Sequence, residues 1–152
     1  MAGLGASGKV ATGIDIVKRL VQGADFTNSA RSMMMAVGCI QAQLCHTNTC
    51  PTGIATQDPK RMRALYVPDK ADRVFNYQQH CVEQAMQVMG SMGVTGPGDL
   101  RPDMLRRRID HREVFSYADL FHHLAPGELV QAPPAGGWAR DWDLADADTF
   151  HA

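Results

Sequence analysis

The sequence lacks an excess of charge of either sign and lacks any long hydrophobic run. Its 15 lysines and arginines nearly balance its 16 aspartates and glutamates, which leaves a formal net charge of -1. Such a balance provides no general attraction to nucleic acid or to an anionic membrane surface, so neither partner is expected. The apolar stretches are too short to span a bilayer. Residues 1–10 lack the charged start and apolar core of a signal peptide, so we expect a cytoplasmic location.

The cysteines are few but clustered. Because the cytosol keeps thiols reduced, the four cysteines are predicted to be metal ligands or buried thiols rather than disulfides. Cys39, Cys45 and Cys50, followed by Pro51, have a C-x5-C-x4-C-P spacing. Iron–sulfur clusters are held by thiolates, often from one loop with a proline after the last ligand. The spacing favours a cluster with these three ligands over three buried structural thiols, whereas Cys81 lies on an apolar helix face and is predicted to be a core thiol.

Two successive strand, loop and helix units are predicted at the start of the chain. The predicted strands cover residues 4–7 and 24–27, and the predicted helices cover residues 13–22 and 29–44. Because parallel strands need a crossover helix between them, two such units indicate a parallel sheet or barrel. In this pattern Cys39 lies late in the second helix, and a loop without periodicity covers residues 45–58.

The rest of the chain is predicted to be mainly helical. Asp58 and Pro59 have the pattern of a helix N-cap followed by proline at the first helical position. Further helices are predicted at residues 68–89, 102–109 and 117–124, the last capped by Ser116. The end of the chain is rich in proline, glycine and aspartate, which predicts a poorly ordered tail. The predicted organisation is residues 1–58 with the Cys-rich loop, a helical extension over residues 59–129, and a tail over residues 130–152.

Each strand-to-helix turn is a candidate phosphate site. Ser7-Gly8-Lys9 precedes the first helix, and residues 28–31 lie at the start of the second. Free backbone N–H groups at helix N-termini bind phosphate, and the loops after the last two strands of (β/α)8 barrels frequently do so. Glycine-containing turns are common in α/β proteins, so an ordinary structural turn is the alternative.

The two turns and the Cys-rich stretch together carry a family resemblance. The segments are residues 7–13, 23–25 and 38–58, and the last contains the highly specific sequence Cys50-Pro51-Thr52-Gly53. They resemble the end of the FMN-binding synthase domain of glutamate synthase, and in particular the short relatives called FMN-binding glutamate synthase family proteins. The resemblance is close over residues 5–58 and looser as far as residue 129.

The resemblance implies two cofactors and an activity. In that family the barrel binds FMN, three cysteines hold a 3Fe-4S cluster, and electrons pass between cluster and flavin to reduce 2-iminoglutarate to glutamate. The cluster ligands carried over by position are Cys39, Cys45 and Cys50. The residues carried over for the FMN phosphate are Gly8, Lys9, Ala30 and Arg31. The sequence identifies no catalytic residue.

The implied fold is α/β: the last two βα units of a (β/α)8 TIM barrel, followed by a mainly helical extension. Such a barrel takes about 250 residues. We therefore expect a fragment of a glutamate synthase-like oxidoreductase, inactive alone. The barrel portion missing from this chain would help bind 2-oxoglutarate or 2-iminoglutarate, and an electron donor protein or subunit would supply electrons. A small iron–sulfur electron carrier and a non-catalytic helical interaction module remain as alternatives.

One further feature is the run Arg106-Arg107-Arg108, with Arg101 and Arg112 nearby. Such a run could contact nucleic acid. The near-neutral net charge favours instead a solvated or interface face of the helix predicted there.

Overall fold

The computed structural model describes residues 3–125, 127–131 and 137–149. The chain divides into two compact units, one ending at Leu105 and the other beginning at Arg106. None of the helices in the described ranges is long and apolar enough to cross a membrane.

The first unit is an α/β arrangement of very short strands and longer helices. Strands β1 (Gly5–Ala6) and β2 (Phe26–Thr27) pair in parallel, with Gly5 opposite Phe26. The helices are α1 (Gly13–Val21), α2 (Arg31–Val37), α3 (Pro59–Met62) and α4 (Val67–Ser91). Single turns of 3-10 helix cover Cys45–Thr47, Pro97–Asp99 and Pro102–Met104. The parallel pairing confirms the two predicted βα units.

The core of this unit lies between α1 and α4. Val17, Val21 and Ala85 are buried there. Partly buried apolar side chains surround them, namely Ile16, Val88, Met89, Met92, Leu100 and Leu105. Because α4 packs against both α1 and α2, residues 59–105 belong to the same unit as the strands, whereas the sequence predicted a boundary after residue 58.

Helix α2 is shorter than predicted. The apolar spacing suggested a helix over residues 29–44, but α2 ends at Val37 because Gly38 takes a left-handed conformation with φ 115°. Gln41 and Gln43 also have positive φ, so the helix does not resume. The prediction that Cys39 lies late in a helix was therefore wrong, and Cys39 begins an irregular segment.

The second unit begins with a hairpin that the sequence did not predict. Strands β3 (Arg106–Arg108) and β4 (Val114–Ser116) pair antiparallel, and Asp110 Oδ1 accepts the N–H groups of Arg112 and Glu113 in the turn. The prediction of a helix over residues 102–109 holds only for the 3-10 turn at Pro102–Met104 and was wrong beyond it, because pairing with β4 outweighs the local helical pattern. Helices α5 (Tyr117–Leu120), α6 (Glu128–Gln131) and α7 (Gly137–Leu144) follow.

Two predicted helix starts are confirmed. The Asp58 carboxylate accepts the N–H of Lys60 at 2.9 Å, with Pro59 at the start of α3. Ser116 and Asp119 form a capping box at α5. That helix ends at Leu120 rather than residue 124, since Phe121 is extended. Within residues 130–152, predicted to be a poorly ordered tail, α7 is helical, and residues 132–136 and 150–152 lie outside the described residues.

A capping box also starts α1. The Thr12 hydroxyl donates to Asp15 Oδ2 at 2.8 Å, and the backbone N–H of Thr12 donates to the same oxygen at 3.2 Å. Burial raises the pKa of Asp15. Hydrogen bonds from Thr12 and Ala11, together with the charge of Lys18, outweigh burial and hold the pKa of Asp15 below its ordinary value.

Asp15→Asn is expected to lower the free energy of unfolding by about 1 kcal/mol near neutral pH. A carboxylate with a lowered pKa stabilises the fold above its unfolded pKa of about 3.9, and this stabilisation is lost as the pH falls through the lower folded pKa. Urea denaturation at several pH values should therefore show that the difference in the free energy of unfolding between the wild type and Asp15→Asn shrinks in acid. Asp72→Asn, at an exposed position of α4, is the control of equal charge change. A difference that grows below pH 4 would contradict this prediction.

Candidate functional site

The turn after β1 has an unusual backbone. Gly8 has φ 88° and Lys9 has φ 54°. No atom lies within 4 Å of the position that a side chain at Gly8 would take, so that side of the turn is open. The Arg19 guanidinium of α1 donates to the Gly8 carbonyl at 3.0 Å. Helix α1 therefore holds the turn from one side and leaves the other free for a ligand.

The turn after β2 is tied to the first turn by two serines. The hydroxyls of Ser29 and Ser32 donate to the Val10 carbonyl at 2.7 and 2.8 Å, and they also contact each other. Ala30, at the N-cap of α2, makes no side-chain capping hydrogen bond. The two predicted phosphate turns are thus neighbours, and the start of α2 has no internal side-chain cap.

The two turns and part of the cysteine segment line one open cavity of about 840 Å³. The lining residues are Ser7, Gly8, Lys9, Val10, Ala11, Asn28, Ala30, Arg31, Ser32, Met34, Met35, Cys39, Gln41, Gln43 and Cys45. All four residues predicted for the FMN phosphate are among them, with two of the three predicted cluster ligands. The lining carries the cations Lys9 and Arg31 and no carboxylate, so the cavity favours an anion.

Each cysteine of the cluster motif has a different setting. Cys39 is half-buried after α2, and its Sγ accepts the N–H of Gln41 at 3.3 Å. Cys45 is exposed. Cys50 is buried, and hydrogen bonds from the Thr52 hydroxyl and then the Ala55 backbone outweigh this burial and lower the pKa of the Cys50 thiol to about 7. A lowered pKa favours the thiolate, which is the form that binds metals.

The structure does not bring the three thiols into one metal-binding group. Cys39 and Cys45 line the cavity, whereas Cys50 is not one of its lining residues. Among residues 3–125, 127–131 and 137–149 there is no group of three or more histidine, cysteine, aspartate or glutamate side chains that could hold one metal ion. Cys81 is not one of the lining residues of this cavity either. It is buried on α4 and donates to the Ala11 carbonyl at 3.6 Å, in keeping with a core thiol.

The segment after Cys50 is fixed by α3. Gly53 has φ 77°, and a side chain there would lie 2.4 Å from the Arg61 carbonyl oxygen. The Arg61 guanidinium donates to the Thr49 carbonyl at 3.0 Å, and Asn48 Oδ1 accepts the Gln57 N–H at 2.6 Å. Cys50 is therefore held rigidly at this end of the loop, while the Cys39 end has fewer such contacts.

Several contacts that shape the site were not predicted from the sequence. Ser29 and Ser32 stand three positions apart around the start of α2, a spacing at which hydroxyls bond to nearby backbone groups. That spacing was a usable signal, although it does not identify Val10 as the acceptor. Thr52 lies two residues after Cys50, close enough to suggest a hydrogen bond to the thiol.

Comparison with known proteins identifies the family. Residues 2–95 match the family model described as the conserved region in glutamate synthase. The chain is 41% identical over 117 residues to the glutamate synthase large subunit-like protein YerD of Bacillus subtilis, a match that covers 77% of this chain and 22% of that protein. It is 36% identical over 110 residues to ferredoxin-dependent glutamate synthase 2 of Synechocystis, covering 70% of this chain and 7% of that protein.

A third relative is ferredoxin-dependent glutamate synthase 1 of Arabidopsis thaliana, 32% identical over 107 residues, which are 69% of this chain and 6% of that protein. The chain thus spans about a fifth of the length of the Bacillus relative and less than a tenth of the other two. More than half of the residues match the family model, and the match includes both turns, the cysteine segment and α4. The chain belongs to the glutamate synthase family.

Proposed function

We propose that this chain supplies the FMN-phosphate turns and the three cluster thiolates of a glutamate synthase-like oxidoreductase. One observation carries the proposal: the four candidate phosphate residues share a single cavity with Cys39 and Cys45. A protein that moves electrons between a flavin and an iron–sulfur cluster must hold the two close together. The shared cavity supports that arrangement.

The cavity fits the phosphate end of FMN. Lys9 and Arg31 supply positive charge, the start of α2 lacks a side-chain cap, and the turn at Gly8 leaves open space. Unpaired N–H groups and cations together bind phosphate well. When bound, FMN would supply the electron and hydride chemistry of its isoalloxazine ring. The part assigned to this chain is to bind and orient the phosphate.

The three cysteines have the chemistry of iron–sulfur ligands, but their thiols are not grouped around one point in this structure. Three thiolates suit a 3Fe-4S cluster, and the lowered pKa of Cys50 favours the ligand form. Because the described residues contain no group of three metal ligands, Cys39 and Cys45 must move toward Cys50 for all three to share one cluster. Cys50 is the anchored member of the set.

The activity proposed for the complete protein is reduction of 2-iminoglutarate, formed from 2-oxoglutarate and ammonia or glutamine nitrogen, to glutamate in the cytoplasm. This chain would provide the last two βα units of the TIM barrel and would be inactive alone. Leu4 and Phe26, at the parallel pair of strands, are 63% and 51% exposed. Because parallel sheets are normally buried on both faces, this exposure supports the proposal that other parts of the complete protein cover the strands. The electron donor would be a separate protein or subunit.

The decisive experiment uses a chimera in which this chain replaces the matched segment of the Bacillus subtilis relative. Fluorescence titration is expected to show tight FMN binding by the chimera and weak binding by the chain alone, because phosphate contacts alone do not offset the cost of immobilising the ligand. Tight, stoichiometric binding by the 152-residue chain would contradict the fragment interpretation. A chimera that folds but binds no FMN would refute the proposed function.

Within the chimera, Lys9→Met and Arg31→Met are each expected to weaken FMN binding about tenfold, the scale of one hydrogen bond to a charged group. Riboflavin has the same ring without the phosphate, so its affinity is expected to stay unchanged. Lys60→Met and Arg63→Met remove equal charge outside the cavity and serve as controls. Equal losses for FMN and riboflavin would show that these side chains do not contact the phosphate.

A further inference from the structure

The hairpin of the second unit, here called the basic hairpin (residues 106–116), lies beyond the segment that matches the family model. Arg106, Arg107 and Arg108 are all exposed, as is Arg112 in the turn. Arg107, Arg108 and Arg112 have no carboxylate within 4 Å among the described residues. Within the described part of the chain these three cations therefore have no carboxylate partner.

The basic hairpin also exposes apolar side chains. Ile109, Val114 and Phe115 are 49%, 43% and 38% exposed. Paired residues share a face of an antiparallel sheet and successive residues alternate between faces, so Arg108 lies beside Val114 on one face and Arg107 beside Phe115 on the other. Arginine next to aromatic and aliphatic side chains is typical of the buried part of a protein interface. This composition favours an acidic polypeptide with apolar side chains as the ligand.

The chain contains such a polypeptide in the acidic segment (residues 138–148). It carries Asp141, Asp143, Asp146 and Asp148, together with two exposed tryptophans. Trp138 and Trp142 are one helical turn apart on α7, with Asp141 on the same side. Carboxylates match the arginine forks, and tryptophan faces attract guanidinium groups. We propose that the basic hairpin of one copy of the chain binds the acidic segment of a second copy.

Sedimentation of the full chain over a range of concentrations tests this. At about 20 mM salt the average mass is expected to rise above 16.6 kDa with concentration, and at about 0.5 M salt the association is expected to be lost because exposed charges are screened. Arg107→Gln with Arg108→Gln is expected to weaken association about tenfold. Lys60→Gln with Arg63→Gln is the control of equal charge change. Circular dichroism of each variant checks that the fold is retained.

Charge exchange provides the sharper test. Arg107→Glu with Arg108→Glu, and Asp141→Lys with Asp143→Lys, should each abolish self-association, while a mixture of the two proteins should associate again. Salt-insensitive association that persists in all variants would place the contact elsewhere and overturn the proposal. So would a monomeric wild type at low salt, a mixture that stays monomeric, or co-purified nucleic acid that only the arginine variants lose.

Discussion

In the chimera, Cys39→Ser, Cys45→Ser and Cys50→Ser are each expected to lower the iron content from about three atoms per chain to less than one. A serine hydroxyl stays protonated near neutral pH, so it is a poor substitute for a thiolate ligand. Cys81→Ser is the matched control and is expected to keep the iron, because the Cys81 thiol is buried on α4 and donates to the Ala11 carbonyl. Iron and acid-labile sulfide analysis measures the effect.

The FMN content of the same samples separates a lost cluster from a misfolded protein. A variant that loses iron but retains FMN has kept the two turns that are proposed to hold the phosphate. Loss of iron in Cys81→Ser alone, or full iron content in Cys50→Ser, would show that the ligand assignment is incorrect. The assignment therefore does not depend on enzymatic activity.

Gly13→Ala is expected to lower the free energy of unfolding by about 3 kcal/mol, at the upper end of overpacking costs. A side chain at Gly13 would lie 2.3 Å from the Ala85 backbone nitrogen and 2.6 Å from the Cys81 carbonyl oxygen. Both atoms belong to the α4 backbone, which cannot rotate away as a side chain can. The N–H of Gly13 also donates to the Gln84 side chain at 2.7 Å, and this bond would be lost if the helices separated.

Gly90→Ala is the control for this substitution. Gly90 lies in α4, and beyond its chain neighbours and the adjacent backbone of that helix no atom is within 4 Å of the position that its side chain would take. Alanine there is expected to stabilise the protein by about 0.5–1 kcal/mol, since it reduces the freedom of the unfolded chain. Urea denaturation followed by circular dichroism measures both variants. A Gly13→Ala protein as stable as the wild type would show that α1 and α4 leave room for a side chain at this position.

Features set by neighbouring residues could be predicted from the sequence. Thr12 caps α1, Asp58 caps α3 and Ser116 caps α5, and each is a short-range hydrogen bond between residues two or three positions apart. The apolar periodicity of α1 and α4 was equally readable because both helices bury one face. These elements needed no knowledge of distant contacts.

The hairpin could not be predicted in this way. Residues 106–108 have no strong strand pattern, and their conformation depends on pairing with residues 114–116. The early end of α2 was readable in principle from Gly38, but the apolar spacing beyond it suggested continuation. A single glycine in a left-handed conformation outweighed that spacing.

The candidate site shows the same division. The cysteine spacing and the two turns indicated the candidate residues, and the resemblance assigned their roles. The arrangement of Ser29 and Ser32 around the Val10 carbonyl depends on the packing of two βα units and was not visible in the sequence. The distribution of the three thiols likewise depends on loop conformation.

Helix α4 also bears on the order in which the site forms. The Tyr77 hydroxyl donates to the Ala11 carbonyl at 2.5 Å across 66 positions, and the Gln84 side chain holds Gly13 across 71. The turn at Gly8 and Lys9 directly precedes these anchored residues, yet the α4 residues that hold them are translated long after it. During synthesis the first candidate phosphate turn can make its contacts with Arg19, Ser29 and Ser32 soon after it leaves the ribosome, whereas the contacts from α4 are added only when that helix docks. Contacts between residues so distant in sequence form late and slowly during folding.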